Sequence, residues 1–128
     1  MELVLLTGVS GFIAKHVALK LLNAGYSVRG TLRRMDRADE VRAALAPYLT
    51  EHAGELSFVQ ADLESDAGWA EAFQGVAALV HTASPFPGAQ PKDPAQVIRP
   101  ALEGTERVLK AAAAAGVTRV VLTSSTVA

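Results

Sequence analysis

The chain has 128 residues, half of them hydrophobic, and a formal net charge of −1 at pH 7. This length suits one domain with one core, and the near-neutral charge argues against a nucleic-acid-binding surface. The absence of cysteine excludes disulfides and thiolate metal sites and suits the cytoplasm. No apolar run is long enough to span a bilayer, so we expect no membrane association.

In the first half of the chain, strand-like runs alternate with helical patterns. The apolar run ELVLL, residues 2–6, predicts a strand buried on both faces. The pattern FIAKHVALKLLNAG follows and predicts a helix that ends at Gly25. The alternating run YSVRGTLR predicts a second strand, and ADEVRAALAPYL predicts a second helix that breaks near Pro47.

The same alternation continues in the second half. The run LSFVQA predicts a third strand, after which Ser65 is expected to cap a short helix that carries Trp69 and Phe73. AALVHTA predicts a fourth strand, and the proline-rich loop SPFPGAQPKDP follows it. The next helix, from residue 97 to 115, contains an early proline expected to kink it and ends at Gly116. TRVVLTSS then predicts a fifth strand.

Regular alternation of strands and helices predicts a doubly wound α/β fold, with a parallel sheet and helices on both faces. We find no linker or internal repeat, so residues 1–128 are interpreted as one domain. A doubly wound sheet normally continues beyond its fifth strand. We therefore expect the chain to be truncated, without the C-terminal region that would build a substrate pocket.

The turn Gly8-x-x-Gly11-x-x-Ala14 joins the first strand to the first helix. At the carboxyl end of a parallel strand, such glycines let the backbone approach a ligand, and the helix N-terminus favours an anion such as a pyrophosphate. A tight turn without a ligand explains the same glycines, so the stretch alone leaves both interpretations open. No Gly-Lys-Ser/Thr occurs, which excludes a P-loop.

The second strand ends in Arg33 and Arg34, with Arg37 close behind. An NAD site usually places a carboxylate there for the ribose hydroxyls, whereas the guanidinium fork of arginine suits a 2′-phosphate. The pattern thus favours NADP (NADPH) over NAD. The alternative is a solvated basic edge whose arginines pair with Asp36 and Asp39.

Six stretches occur in one order along the chain: TGVSGFIA, GYSVRGTLR, ADLESDAGW, HTASPF, IRPALEGTERVL and VTRVVLTSS. Together they resemble the N-terminal half of the extended short-chain dehydrogenase/reductase family. The branch they most resemble contains dihydroflavonol reductases, cinnamoyl-CoA reductases and phenylacetaldehyde/methylglyoxal reductases. The resemblance implies a Rossmann-type dinucleotide-binding domain. Sugar-nucleotide epimerases of this family usually differ from HTASPF, which therefore argues for a reductase.

The resemblance also implies roles for individual residues. Ser125 matches the catalytic serine, and the family's second phosphate-binding lysine has no match, because Glu40 lies near that place. Arg34 or Arg37 are candidates to replace that lysine. The residues matched to cofactor contacts are Thr7, Gly8, Gly11, Phe12, Ile13, Arg33, Asp62, Leu63, Thr82, Ala83 and Ser84.

Several of these residues have a purely structural alternative. Asp62 could cap a turn, Ser124 and Ser125 could be ordinary strand-end hydroxyls, and His81 is interpreted as a hydrogen-bonded core histidine. The histidines and carboxylates form no cluster at ligand spacing, so we expect no metal site.

The family's reaction passes a hydride from NADPH to a carbonyl carbon, with a proton from a tyrosine four residues before a lysine. Neither tyrosine here fits, because Gly30 follows Tyr26 and His52 follows Tyr48 at that spacing. The chain is therefore interpreted as the cofactor-binding half of an NADPH-dependent aldehyde or ketone reductase, inactive by itself.

Two other functions stay open on the sequence. One is a non-catalytic NADP-binding sensor or interaction module, and the other is a nucleotide-sugar epimerase or dehydratase of the same fold. The expected binding partners are a nicotinamide dinucleotide and a small carbonyl substrate. Nothing in the sequence indicates an oligomeric state.

Overall fold

The computed structural model of the chain describes residues 2–82 and 95–123. Within them all five predicted strands and all four predicted helices are present, while the proline-rich loop lies outside the described residues. The strands are β1 (Leu3–Thr7), β2 (Ser27–Leu32), β3 (Leu56–Gln60), β4 (Ala78–His81) and β5 (Arg119–Leu122). The helices are α1 (Phe12–Asn23), α2 (Ala38–Leu45), α3 (Trp69–Ala72) and α4 (Ala95–Ala114).

The five strands form one parallel sheet in the order β3-β2-β1-β4-β5. Val4 of β1 lies opposite Val28 of β2 on one side and opposite Ala78 of β4 on the other. The chain therefore winds outward from β1 in one direction and then returns to add β4 on the other side. This reversal between β1 and β4 is where doubly wound folds bind ligands.

Helices cover both faces of the sheet. Adjacent residues of a strand point to opposite faces, and Leu5 and Leu6 of β1 belong to two different cores. One core is formed with α3 and α4 by Leu5, Ala61, Leu63, Trp69, Ala72, Phe73, Leu79, Val108, Ala112 and Val117. The other is formed with α1 and α2 by Leu6, Val9, Ala14, Ala18, Leu22, Val28, Leu32, Val41 and Leu45.

The predicted helix ends are confirmed where glycine or proline marks them. Gly25 and Gly116 have φ angles of +98° and +79°, left-handed values that glycine adopts without strain. Before Pro47 the α2 helix stops at Leu45 and continues as a 3₁₀ turn over Ala46–Tyr48. In the described part of the chain, no helix is both long and apolar enough to cross a membrane.

The predicted start of α3 is wrong. Ser65 does not cap this helix, because its Oγ accepts a hydrogen bond from the Ala67 amide in the preceding turn, at 3.2 Å. The helix begins at Trp69, after Gly68 in a left-handed conformation with φ of +87°. A Cβ on Gly68 would lie 2.6 Å from the Gln60 carbonyl oxygen, so close packing on the end of β3 sets the helix start.

Arg29 of β2 stabilises the other end of α3, a role that the sequence did not indicate. Its Nη1 donates hydrogen bonds to the carbonyl oxygens of Ala72 and Gln74, both at 2.7 Å. The last carbonyls of a helix have no partner within the helix, and a cation there also complements the helix dipole.

Gly30 of β2 is expected to be essential for stability. A Cβ at this position would lie 2.5 Å from Cγ1 and 2.6 Å from Cβ of the fully buried Val9. Gly30→Ala should therefore displace the glycine turn and lower the free energy of unfolding by about 1–3 kcal/mol, as overpacking typically does. Urea denaturation followed by circular dichroism measures this loss.

Gly11→Ala is the control for that experiment. A Cβ on Gly11 would lie 3.3 Å from the Gly8 carbonyl oxygen, a much milder contact, and its φ of −72° suits any residue. We expect this variant to retain most of the stability. A Gly30→Ala variant as stable as the wild type would show that the approach of Val9 to β2 is not a constraint.

Candidate cofactor-binding cleft

A cleft of about 500 Å³ lies at the carboxyl ends of the strands. It is located between β1 and β4, where the order in which strands are added to the sheet reverses. Its walls come from the glycine turn, the end of β2, the segment after β3 and the end of β4. The lining residues are Gly8, Ser10, Gly11, Thr31, Leu32, Arg33, Arg34, Arg37, Ala61, Asp62, Leu63, Glu64, Trp69 and Thr82.

The glycine turn presents backbone groups to this cleft. Gly8 has a φ of +66°, and its carbonyl oxygen accepts a hydrogen bond from the Gly11 amide at 3.0 Å. The α1 helix starts at Phe12, and the Lys15 amide donates to the Gly11 carbonyl oxygen. The amides in the first turn of a helix have no partner within it. No side chain of the described residues caps them, so they can bind an anion.

Thr31 of β2 fixes the turn in place. Its Oγ1 accepts a hydrogen bond from the Gly8 amide at 2.9 Å, and its carbonyl oxygen accepts one from the Val9 amide at 3.1 Å. Thr31 is buried, and it was not among the predicted site residues. Its position next to Gly30, an unusual residue inside a strand, was the only sequence signal for a close approach.

A buried polar cluster joins the ends of β1 and β4. The Thr7 hydroxyl lies 2.8 Å from Nδ1 of His81 and accepts a hydrogen bond from the Thr82 amide at 2.9 Å. The Thr82 hydroxyl donates to the Thr7 carbonyl oxygen. His81 is 5% exposed, and burial lowers the pKa of its imidazole. The interpretation of His81 as a hydrogen-bonded core histidine is confirmed.

The basic rim of the cleft consists of Arg33, Arg34 and Arg37. These three arginines differ in the ion pairs that they form. Arg34 forms an ion pair with Asp36 at 2.7 Å, as the structural alternative anticipated. Arg37 pairs instead with Glu40 at 3.1 Å. Arg33 forms no ion pair within residues 2–82 and 102–123, whose side chains the structure describes. Arg33 is thus the rim arginine best placed to bind an anionic ligand.

The segment after β3 forms the opposite wall. Asp62 does cap a turn, since its Oδ1 accepts a hydrogen bond from the Glu64 amide at 2.9 Å. It also lines the cleft, so the structural role does not exclude contact with a ligand. The Trp69 indole Nε1 donates to the carbonyl oxygens of Asp62 and Ser65, at 3.1 and 3.0 Å, which holds this segment against the core.

Helix α4 supports the same segment from behind. The Arg107 guanidinium donates through Nη1 to the Leu63 carbonyl oxygen and through Nε to Asp66. A Cβ on Gly104 would lie 3.1 Å from the Leu63 Cβ, so the helix approaches Leu63 closely. Neither Arg107 nor Gly104 was predicted, because both act across more than 40 residues of sequence.

The predicted cofactor residues occupy three kinds of position. Thr7 lies buried beneath the cleft, whereas the Phe12 and Ile13 side chains are 79% and 65% exposed and do not line it. Both positions lie in the first turn of α1, so their backbone amides can contribute to an anion site. The predicted residues that line the cleft are Gly8, Gly11, Arg33, Asp62, Leu63 and Thr82. The predictions for Ala83, Ser84, Ser124 and Ser125 lie outside the described residues.

Comparison with known proteins agrees with this geometry. The sequence model of the NAD dependent epimerase/dehydratase family matches residues 4–128. The chain belongs to this family. Its resemblance to extended short-chain dehydrogenases/reductases and its Rossmann-type fold are thereby confirmed.

Several proteins similar to this chain are named as reductases. Cinnamoyl-CoA reductase 1 of Petunia hybrida is 40% identical over 127 residues, which are 97% of this chain and 35% of that protein. Dihydroflavonol 4-reductase of Hordeum vulgare is 37% identical over 125 residues, which are 95% of this chain and 34% of that protein. The chain thus spans about a third of the length of these relatives.

A solved structure shows the same architecture. Yeast methylglyoxal/isovaleraldehyde reductase Gre2, complexed with NADPH, is 28% identical with a TM-score of 0.79, over 96% of this chain and 37% of that chain. The chain is thus a Rossmann domain of an oxidoreductase family. No group of three or more histidine, aspartate or glutamate side chains placed to hold a metal ion occurs among the described residues.

We expect acid to destabilise the protein through His81. Burial lowers the pKa of this imidazole below its ordinary value of 6.5, so the unfolded chain binds a proton that the folded chain does not. The free energy of unfolding should therefore fall as the pH drops below about 6.5, by at most about 1.4 kcal/mol per pH unit. Urea denaturation between about pH 7.5 and 5.5 measures this slope.

His81→Gln should remove that part of the slope, because glutamine does not titrate. His52→Gln is the matched control, because it removes a histidine whose side chain is 87% exposed and lies outside the buried cluster. Equal slopes in the wild type and the His81→Gln variant would contradict the assignment to His81.

Proposed function

We propose that this chain is the cofactor-binding half of an NADPH-dependent oxidoreductase that reduces an aldehyde or a ketone to an alcohol. The observation that carries the proposal is the cleft between the ends of β1 and β4, which joins a helix N-terminus to Arg33. Among the described residues, no side chain caps this N-terminus and none forms an ion pair with Arg33. These are the two features that a 2′-phosphorylated dinucleotide requires.

The residues at the turn fit a pyrophosphate. Gly8 and Gly11 leave the backbone open to the cleft, and the first amides of α1 point their dipole toward an anion. No acidic residue lies in the first turn of α1, so no carboxylate there competes with the phosphates. Thr31 keeps the Gly8 amide oriented and so preorganises the turn before a ligand binds.

The residues at the end of β2 fit a 2′-phosphate rather than a free ribose hydroxyl. Arg33 occupies the place where NAD-binding folds usually carry a carboxylate. Its planar guanidinium can form two parallel hydrogen bonds with a phosphate. The NADPH bound in the similar structure of Gre2 supports the same cofactor for this chain.

NADPH, when bound, supplies the hydride for reduction of a carbonyl carbon. The chain's own residues bind and orient the dinucleotide: the glycine turn at the phosphates, Arg33 at the 2′-phosphate, and Asp62 with Leu63 at the opposite wall, where the family resemblance places the adenine. By the same resemblance, Ser125 would hydrogen-bond the carbonyl oxygen of the substrate. The 128 residues hold no tyrosine four positions before a lysine, so we propose that they do not complete the reaction alone.

Arg33→Ala tests the cofactor assignment. The variant should lose a charge-assisted hydrogen bond to the 2′-phosphate, which weakens NADPH binding by about 1.5–3 kcal/mol. NADH has no 2′-phosphate, so its affinity should change little. Fluorescence titration of the full chain with each reduced dinucleotide gives both dissociation constants.

Lys20→Ala is the matched control, because it removes one positive charge from the last turn of α1, at the helix end away from the glycine turn. It should leave both dissociation constants unchanged. If Arg33→Ala weakened NADPH and NADH equally, Arg33 would not contact the 2′-phosphate and the preference for NADPH would have another origin.

A further inference from the structure

A single carboxylate forms ion pairs with two cations beside the basic rim. Glu40 of α2 accepts hydrogen bonds from Arg37, from Nη2 to Oε1 at 3.1 Å and from Nε to Oε2 at 3.3 Å. The Lys15 Nζ lies 3.7 Å from the same Oε1. Arg37 lines the cleft, whereas Lys15, in the first turn of α1, is not among the lining residues. Glu40 therefore engages Arg37, a cation of the cleft that an anionic ligand could otherwise use, and Lys15 contacts the same carboxylate from α1.

A phosphate can replace the Glu40 carboxylate as the partner of Arg37. The two side chains are 48% and 53% exposed, and an ion pair open to water is weak. Arg37 also holds the pKa of the Glu40 carboxyl below its ordinary value, so Glu40 stays charged at neutral pH. A phosphate dianion carries more charge than this carboxylate, and it can displace Glu40 from Arg37 at some loss of affinity.

We propose that Glu40 is a specificity-determining residue that limits the preference for a 2′-phosphorylated dinucleotide by competing for Arg37. This inference rests on the proposed function. A 2′-phosphate has to displace the carboxylate and is repelled by its charge. A dinucleotide with a free 2′-hydroxyl meets neither effect. Removal of the Glu40 charge should therefore tighten NADPH binding without tightening NADH binding.

Glu40→Gln tests this role, because the amide keeps the shape of the side chain and removes its charge. Asp39→Asn is the matched control. Asp39 is the preceding residue on the same helix, it is exposed, and it forms no ion pair with any described side chain. Both substitutions change the net charge equally, so they separate the local competition from the overall field of the protein.

The measurement uses two matched pairs of ligands on the full chain. Fluorescence titration compares NADPH with NADH, and calorimetry compares adenosine 2′,5′-bisphosphate with adenosine 5′-monophosphate. Glu40→Gln should tighten NADPH and the bisphosphate about two- to fivefold, the range expected for an exposed ion pair. It should leave NADH and the monophosphate unchanged, and Asp39→Asn should leave all four unchanged. High salt should reduce the gain, because it screens exposed charges.

Several results would overturn the proposal. Weaker NADPH binding in Glu40→Gln would mean that Glu40 orients Arg37 for the phosphate instead of competing for it. An equal shift for NADPH and NADH, or the same shift in both variants, would mean a general charge effect. If wild-type NADPH binding is normal and Glu40→Gln changes nothing, this inference alone fails. If the wild type binds neither NADPH nor the bisphosphate, the proposed function fails with it.

Discussion

The position of the glycine turn depends on a close approach between two backbone segments. Gly30 has no side chain, and the space beside it is filled by Val9. This approach brings the Gly8 and Val9 amides within hydrogen-bond distance of Thr31. The start of α1, the direction of its first amides and the floor of the cleft all follow from it. The substitution that breaks this contact is thus expected to act on folding and on the proposed phosphate site together.

The other side of the cleft depends on contacts between strands that are far apart in sequence. The Thr7 hydroxyl links β1 to His81 and Thr82 at the end of β4. The His81 carbonyl oxygen in turn accepts hydrogen bonds from the Thr123 amide and hydroxyl, at 3.1 and 3.2 Å, after the end of β5. A neutral imidazole suits this buried position, because a charged one would lose its hydration. The core histidine thereby holds three strand ends together beside the cleft.

The sequence predicted the features that local chemistry determines. Buried parallel strands are apolar, glycine and proline end helices, and an arginine after the second strand is visible without any structure. Local sequence patterns did not predict the features that depend on contacts between residues far apart in the sequence. The residue that precedes α3 is Gly68 instead of the predicted cap Ser65, because Gly68 packs closely on the Gln60 carbonyl. Likewise, Thr31 and Arg107 became site residues only through partners more than 20 positions away.

A crystal structure of the full chain with bound NADPH tests the central claim most directly. We predict density for the pyrophosphate beside the glycine turn, at the first amides of α1, with the 2′-phosphate within hydrogen-bond distance of the Arg33 guanidinium. A dinucleotide bound away from this cleft, or a 2′-phosphate that contacts solvent instead of Arg33, would contradict the account.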